Sequence, residues 1–217
     1  MLRMRLVLVV AVLSGFLSYA APTMAETIID EWQGVKAPPP PTLKSVTIDP
    51  KTTVLLVMDL LKQTCNSDRR PRCMASLPKI AKLIGEAHAG GMMVIYTTVP
   101  QIPISDTVPA VAPKGDEPVV VGSVDKFILG DKDTGLEKML KDKGITTVIP
   151  VGTAAHGAVL YTASAAALRG FNVIVPVDGM SGDGQNTYIE QYVAYNLTSA
   201  PVIAAKITLT SIDMMTF

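Results

Sequence analysis

Polar and apolar positions divide the chain into two kinds of segment. Thr53–Met58, Met92–Thr98, Val119–Val121, Thr146–Val151, Phe171–Val177 and Val202–Ala205 are short apolar runs without alternation. That pattern suits strands buried on both faces. Between them, Leu77–Ala89, Gly135–Lys143, Gly157–Leu168 and Gln185–Leu197 read as helices. Gly90-Gly91, Gly144 and Gly170 supply three of the stops. Residues 100–118, rich in Pro and Gly, read as a long loop. Strands alternating with helices predict an α/β domain: a single doubly wound, mainly parallel six-stranded sheet with helices on both faces, a Rossmann-like three-layer α/β/α arrangement.

The first 25 residues have a different pattern. Arg3 and Arg5 precede an unbroken apolar run, Leu6–Leu13, and small residues lead to Ala25 before Glu26. This is the layout of a secretory signal peptide. An uncleaved membrane anchor is the alternative, but Ser14, Gly15 and Ser18 interrupt the run short of the roughly 20 apolar residues a span requires. The expected organisation is a signal peptide over 1–25, a proline-rich lead-in over 26–50 carrying Pro38–Pro41 and the only Trp (Trp32), and one domain over 51–217. A periplasmic or secreted location follows, with no membrane contact after cleavage.

Composition changes the picture in two places. Lys+Arg and Asp+Glu are both 19, and the chain beyond residue 25 is slightly acidic. No excess of positive charge is available to neutralise phosphates, which argues against a nucleic-acid partner. The two cysteines, Cys65 and Cys73, lie in the polar stretch TCNSDRRPRC. In an oxidising compartment such a pair is a disulfide candidate. The competing reading is a thiolate activated by Arg69, Arg70 and Arg72.

Ligands of open α/β sheets bind outside the carboxyl ends of the strands. Asp59 ends the first strand there, Lys126 follows the third, and Gly152-Thr153-Ala154-Ala155-His156-Gly157 opens from the fourth. An Asp, a Lys and a His could thus converge at one sheet edge. Each also has a plain structural alternative: Asp59 as a cap, Lys126 as a surface charge, His156 as a turn residue. With only His88 and His156 in the chain, no spacing suggests a catalytic metal. Gly179-Met180-Ser181-Gly182-Asp183-Gly184 is no dinucleotide fingerprint. No cofactor is expected.

VLLVMDL and the stretch DKFILGDKDTGLEKMLKDKGITTVIPVGTAAHGAVLYTASAAALRGFNVIVPVDGM resemble the isochorismatase-like hydrolase superfamily, the cysteine hydrolases, over about residues 50–210. The resemblance implies a six-stranded parallel sheet, a small-molecule substrate and a homodimer or larger homo-oligomer. It also implies a catalytic Asp at Asp59 and a catalytic Lys at Lys126, with Thr134 and Leu136 at the family's Thr-x-Leu spacing. The position of the family's Cys nucleophile falls on Ala158.

Alanine cannot attack a substrate, so the family's acyl-enzyme route is closed at that position. Ala155-His156-Gly157-Ala158 looks more like the vinyl-ether-cleaving isochorismatases, in which an Asp protonates the vinyl carbon. The family's Lys-Trp-Arg-Tyr-Ser-Ala-Phe segment reads Lys-Phe-Ile-Leu-Gly-Asp-Lys here, however, and lacks its aromatic and Arg contacts. The expectation is an exported hydrolase of a small polar or anionic substrate. Asp59 would be general acid or general base, with Lys126 and His156 beside it. Ala154, Ala155 and Gly157 would bound the substrate, and Arg69 and Arg70 are candidate carboxylate contacts or simply an exposed basic loop. A catalytically silent ligand-binding member is the alternative.

Overall fold

The computed structural model describes residues 27–217, so the expected signal peptide lies outside the described residues. The central sheet follows the order β6-β5-β4-β1-β2-β3, with β1 Thr53–Met58, β2 Met93–Thr98, β3 Val119–Val121, β4 Thr147–Thr153, β5 Asn172–Pro176 and β6 Ile207–Thr210. All five neighbouring pairs are parallel. A two-residue strand, Met180–Ser181, adds to β4 beyond β5 and brings the sheet to seven strands.

Every residue of β1 is buried, which is why its sequence shows no alternation. Val54, Leu56 and Met58 face a core shared with α2 (Leu136–Asp142), α3 (Leu160–Leu168) and α4 (Tyr188–Ser199). Leu55 and Val57 face a second core, built with α1 (Pro71–Ala89), the 104–111 turns and Ile212 and Met215. Burying one such Leu contributes about 1.5–3 kcal/mol, so β1 anchors both layers. Among the described residues no helix is long and apolar enough to cross a membrane.

Pro38–Phe217 is one compact unit. It takes in much of the expected lead-in, because Ile48 is buried and Val46–Thr47 pairs with Met215–Thr216. The segment 27–37, by itself, holds a short helix Ile28–Glu31, at whose start the Thr27 N–H donates to Asp30 Oδ2 at 2.9 Å, and a turn Trp32–Gly34.

Four elements differ from the sequence expectation. The last strand is Ile207–Thr210 and not Val202–Ala205; Val202 has φ +68°, a backbone region strands do not use. Helix α1 begins at Pro71 and carries Cys73 within it, since Pro is well suited to a first helical turn. Strand β4 continues through Gly152 and Thr153, which pair with Met180 and Ser181. The helix expected from Gly157 starts as a wide turn, Ala155–Val159, because Gly157 takes the non-helical angles φ −119°, ψ −107°.

Candidate active site

The sheet is wound outward in both directions from the β1/β4 boundary, and the chain leaves both strands at the same edge. Register places Met58 opposite Gly152 on one side and opposite Thr97 on the other. Asp59 therefore emerges between the ends of β2 and β4. Its backbone takes φ +52°, a region Asp tolerates better than most residues. The turn behind it is held by Thr64 Oγ1 donating to the Asp59 carbonyl.

The Asp59 carboxylate is met from two sides. Lys126 Nζ lies 2.7 Å from Oδ2, and Thr97 Oγ1 donates to Oδ1 at 2.7 Å. Both oxygens thus act as acceptors, the arrangement of an ionised carboxylate. The Asp59 side chain keeps 7% exposure while that of Lys126 has none. Solvent reaches the pair only through the acid. Burial drives the Lys126 ammonium below the ordinary lysine range, against the opposing pull of Asp59.

Lys126 is placed by its backbone. Its N–H donates to Thr162 Oγ1 at 3.1 Å, and its carbonyl accepts from Thr134 Oγ1 at 2.7 Å. Thr162 lies on α3, so the helix that follows the wide turn fixes the lysine's position. Gly122 lets this segment fold closely over Lys126: a Cβ there would stand 3.1 Å from both Cα and Cδ of the lysine.

Opposite them, Thr153-Ala154, joined by a cis peptide, leads into the Ala155–Val159 turn. Ala155 and Ala158 are buried, Ala154 and Gly157 half-buried, and His156 is exposed. Gly152 is the tight point of this approach, since a Cβ at that residue would lie 2.0 Å from the Met58 carbonyl oxygen. The structure brings Asp59 and Lys126 into contact. Among the described residues no hydrogen bond or ion pair joins His156 to them.

The Arg-rich stretch braces the site. Arg70 is buried; its Nη1 donates to the Thr64 carbonyl at 2.6 Å, and its Nε lies 2.5 Å from Asp183 Oδ1. Burial lowers the Arg70 pKa and Asp183 opposes it. Arg69 is exposed, 3.7 Å from Asp183, and its carbonyl accepts from Gly184 N at 2.8 Å. Arg72 grips Glu190 with Nε and Nη2 at 2.7 and 3.0 Å. Cys65 and Cys73 are joined in a disulfide with Cα atoms 5.5 Å apart, closing the same loop. These three arginines therefore spend charge on the 182–190 segment.

Sequence reasoning missed Thr97, Thr64, Thr162 and Gly122. The available signal for Thr97 was a polar residue near the end of a buried strand, next to the strand that delivers Asp59. Among the described residues no three His, Cys, Asp or Glu side chains gather as a metal site.

The fold is that of several solved structures. An isochorismatase family protein from Desulfovibrio vulgaris is 19% identical, with a TM-score of 0.66, over 75% of this chain and 95% of that one. A cysteine hydrolase from Pseudomonas syringae is 19% identical, with a TM-score of 0.67, over 80% and 94%. N-carbamoylsarcosine amidase from Thermoplasma acidophilum is 20% identical, with a TM-score of 0.59, over 75% and 97%. At such identities the likeness speaks for the fold. No curated protein matches the chain in sequence. Residues 53–206, well over half the chain, match the isochorismatase domain model, and they include Asp59, Lys126 and Ala158. The chain belongs to the isochorismatase family of hydrolases.

Proposed function

We propose that the protein is an exported hydrolase that cleaves a small polar or anionic substrate without a cysteine nucleophile, using Asp59 as general base. The observation that carries this reading is the Asp59–Lys126 contact of 2.7 Å at the switch point of the sheet, in a chain with alanine at 158. Asp59 has the acceptor geometry to take a proton from water. The hydroxide so formed adds to an acyl carbon, the C–N or C–O bond breaks, and Asp59 returns the proton to the leaving group. Lys126 orients the carboxylate, and Thr97 fixes its second oxygen. Export rests on the pattern of residues 1–25, and the Cys65–Cys73 bond suits a periplasmic or secreted location.

Hydrolysis of amides, esters and vinyl ethers by purified protein tests the proposal. Asp59→Asn keeps the side chain's shape and its tolerance of positive φ but removes the base. It is expected to lower kcat/KM by about 100-fold or more. Lys126→Ala is expected to abolish turnover as well. Binding of these compounds with no turnover would instead favour the ligand-binding alternative, and an Asp59→Asn enzyme with unchanged rate would overturn the assignment of the base. Ala158→Cys provides a gain-of-function check, because a new amidase activity would show that the rest of the site accepts an acyl substrate.

A further inference from the structure

Asp59 sits at φ +52°, and a residue other than glycine persists there only where its surroundings over-determine it. The turn that follows supplies the restraint. Thr64 Oγ1 donates to the Asp59 carbonyl, and the Leu61 N–H donates to the same hydroxyl at 3.2 Å. Thr64 N and Cys65 N both donate to the Leu61 carbonyl, at 2.9 and 2.7 Å. The Thr64 carbonyl is held in turn by Arg70 Nη1 at 2.6 Å, and Arg70 Nε lies 2.5 Å from Asp183 Oδ1. Backbone bonds anchor the outer links: Arg70 N donates to the Asn66 carbonyl and Gly184 N to the Arg69 carbonyl, both at 2.8 Å. An unbroken chain of contacts thus runs from Asp183 through Arg70 and Thr64 to Asp59.

We propose, resting on the reading of Asp59 as the base, that Arg70 and Asp183 are positioning residues: the pair orients Asp59 through Thr64 and touches no substrate. The Arg70 side chain is only 5% exposed, and Thr64 and Asp183 already engage Nη1 and Nε. Such a guanidinium is placed for partners within the protein and not for an anion arriving from solvent. Burying an ion pair is a poor way to gain stability, because the cost of removing both charges from water offsets their attraction. A geometric role beside a strained residue accounts for the pair better. Burial lowers the Arg70 pKa and Asp183 opposes it, with Asp59 adding to that opposition, so the guanidinium also feels the charge of the group it positions. Arg72 offers a comparison within the same stretch. It holds Glu190 and the Asn186 carbonyl, and among the described residues it forms no hydrogen bond to the 59–64 turn.

Steady-state kinetics on the amide, ester and vinyl ether compounds, with circular dichroism checking each fold, test the proposal. Arg70→Lys and Asp183→Ala are each expected to lower kcat by about tenfold or more with KM unchanged. The double variant is expected to be no slower than the slower single one, as for residues acting through one chain of contacts. Asp183→Asn keeps an acceptor oxygen and is expected to retain more of the rate than Asp183→Ala. Arg72→Lys is expected to leave kcat unchanged. The NMR signal of the Asp59 carbonyl carbon, which reports the Thr64 bond, is followed in parallel. It is expected to shift in the Arg70 and Asp183 variants and to stay in place in Arg72→Lys. If the unaltered protein turns over none of the compounds, the assignment of the base falls, and the carbonyl signal by itself decides whether the pair positions Asp59. A raised KM with kcat unchanged would make Arg70 a substrate contact and overturn the proposal. So would additive losses in the double variant, an equal loss in Arg72→Lys, or an Asp59 carbonyl signal that moves in none of the variants.

Discussion

At the scale of single residues, the Asp59 carboxylate is held by Thr97 Oγ1 on one oxygen and Lys126 Nζ on the other. Replacing Thr97 by Val removes one donor from a buried carboxylate, and a destabilisation of about 1–3 kcal/mol is expected from urea unfolding. Lys126 makes a pH prediction. Its pKa lies below the ordinary lysine value of about 10.4 because the side chain is buried. The ammonium is therefore lost early on the alkaline side, and the alkaline limb of a kcat/KM profile is expected below that value. A limb at or above it would separate Lys126 from the chemistry. Tyr96 predicts a change in stability. Burial, with the nearby charge of Glu117, pushes its pKa up to about 12. The folded state then holds this proton where the unfolded chain, near 10, releases it. Stability from Tyr96 is present below about 10 and is lost as pH rises towards 12. Tyr96→Phe is expected to flatten that decline in unfolding experiments between the two values. Asp59 and Lys126 were legible in the sequence as strand-end residues of the expected chemistry. Thr97 was not, because only the register of β1 against β2 makes it a neighbour of Asp59.

At the scale of elements, strand crossings and loops set the site. Gly152→Ala would drive a Cβ to 2.0 Å from the Met58 carbonyl oxygen at a φ of +133°. Separation of β4 from β1 and a loss of more than about 4 kcal/mol are expected, read as failure to fold or a large fall in Tm. The loop closed by Cys65–Cys73 constrains the unfolded chain over a sequence separation of 8. Replacing both cysteines by Ala is expected to cost about 2–3 kcal/mol in chemical denaturation. Hydrogen exchange should then quicken in 64–70 and 182–190, the segments that Arg70 and Arg72 hold together. Helix and strand periodicities located most elements. They failed at Val202–Ala205, where a β-branched run supports a strand locally but the connection from α4 turns through a positive φ. They also failed for the first turns of α1, whose polar and Pro-rich sequence reads as a loop although Cys73 and Ser76 are buried there.

At the scale of the whole molecule, the doubly wound topology concentrates the candidate chemistry at one edge of the sheet. The sequence by itself determined the layer architecture, because strands buried on both faces and helices with one apolar stripe can be packed in few ways. It also placed an alanine at 158, where the family resemblance leads one to expect a cysteine. Tertiary structure decided which residues meet. Asp59 and Lys126 are far apart along the chain and in contact across the sheet edge, whereas His156, close to Ala158 in sequence, is exposed and, among the described residues, forms no hydrogen bond or ion pair with them. It likewise turned Arg70 from a free cation into a brace for Asp183. Such pairings depend on strand order and register, which are settled by the whole set of buried contacts and leave no local mark in the sequence.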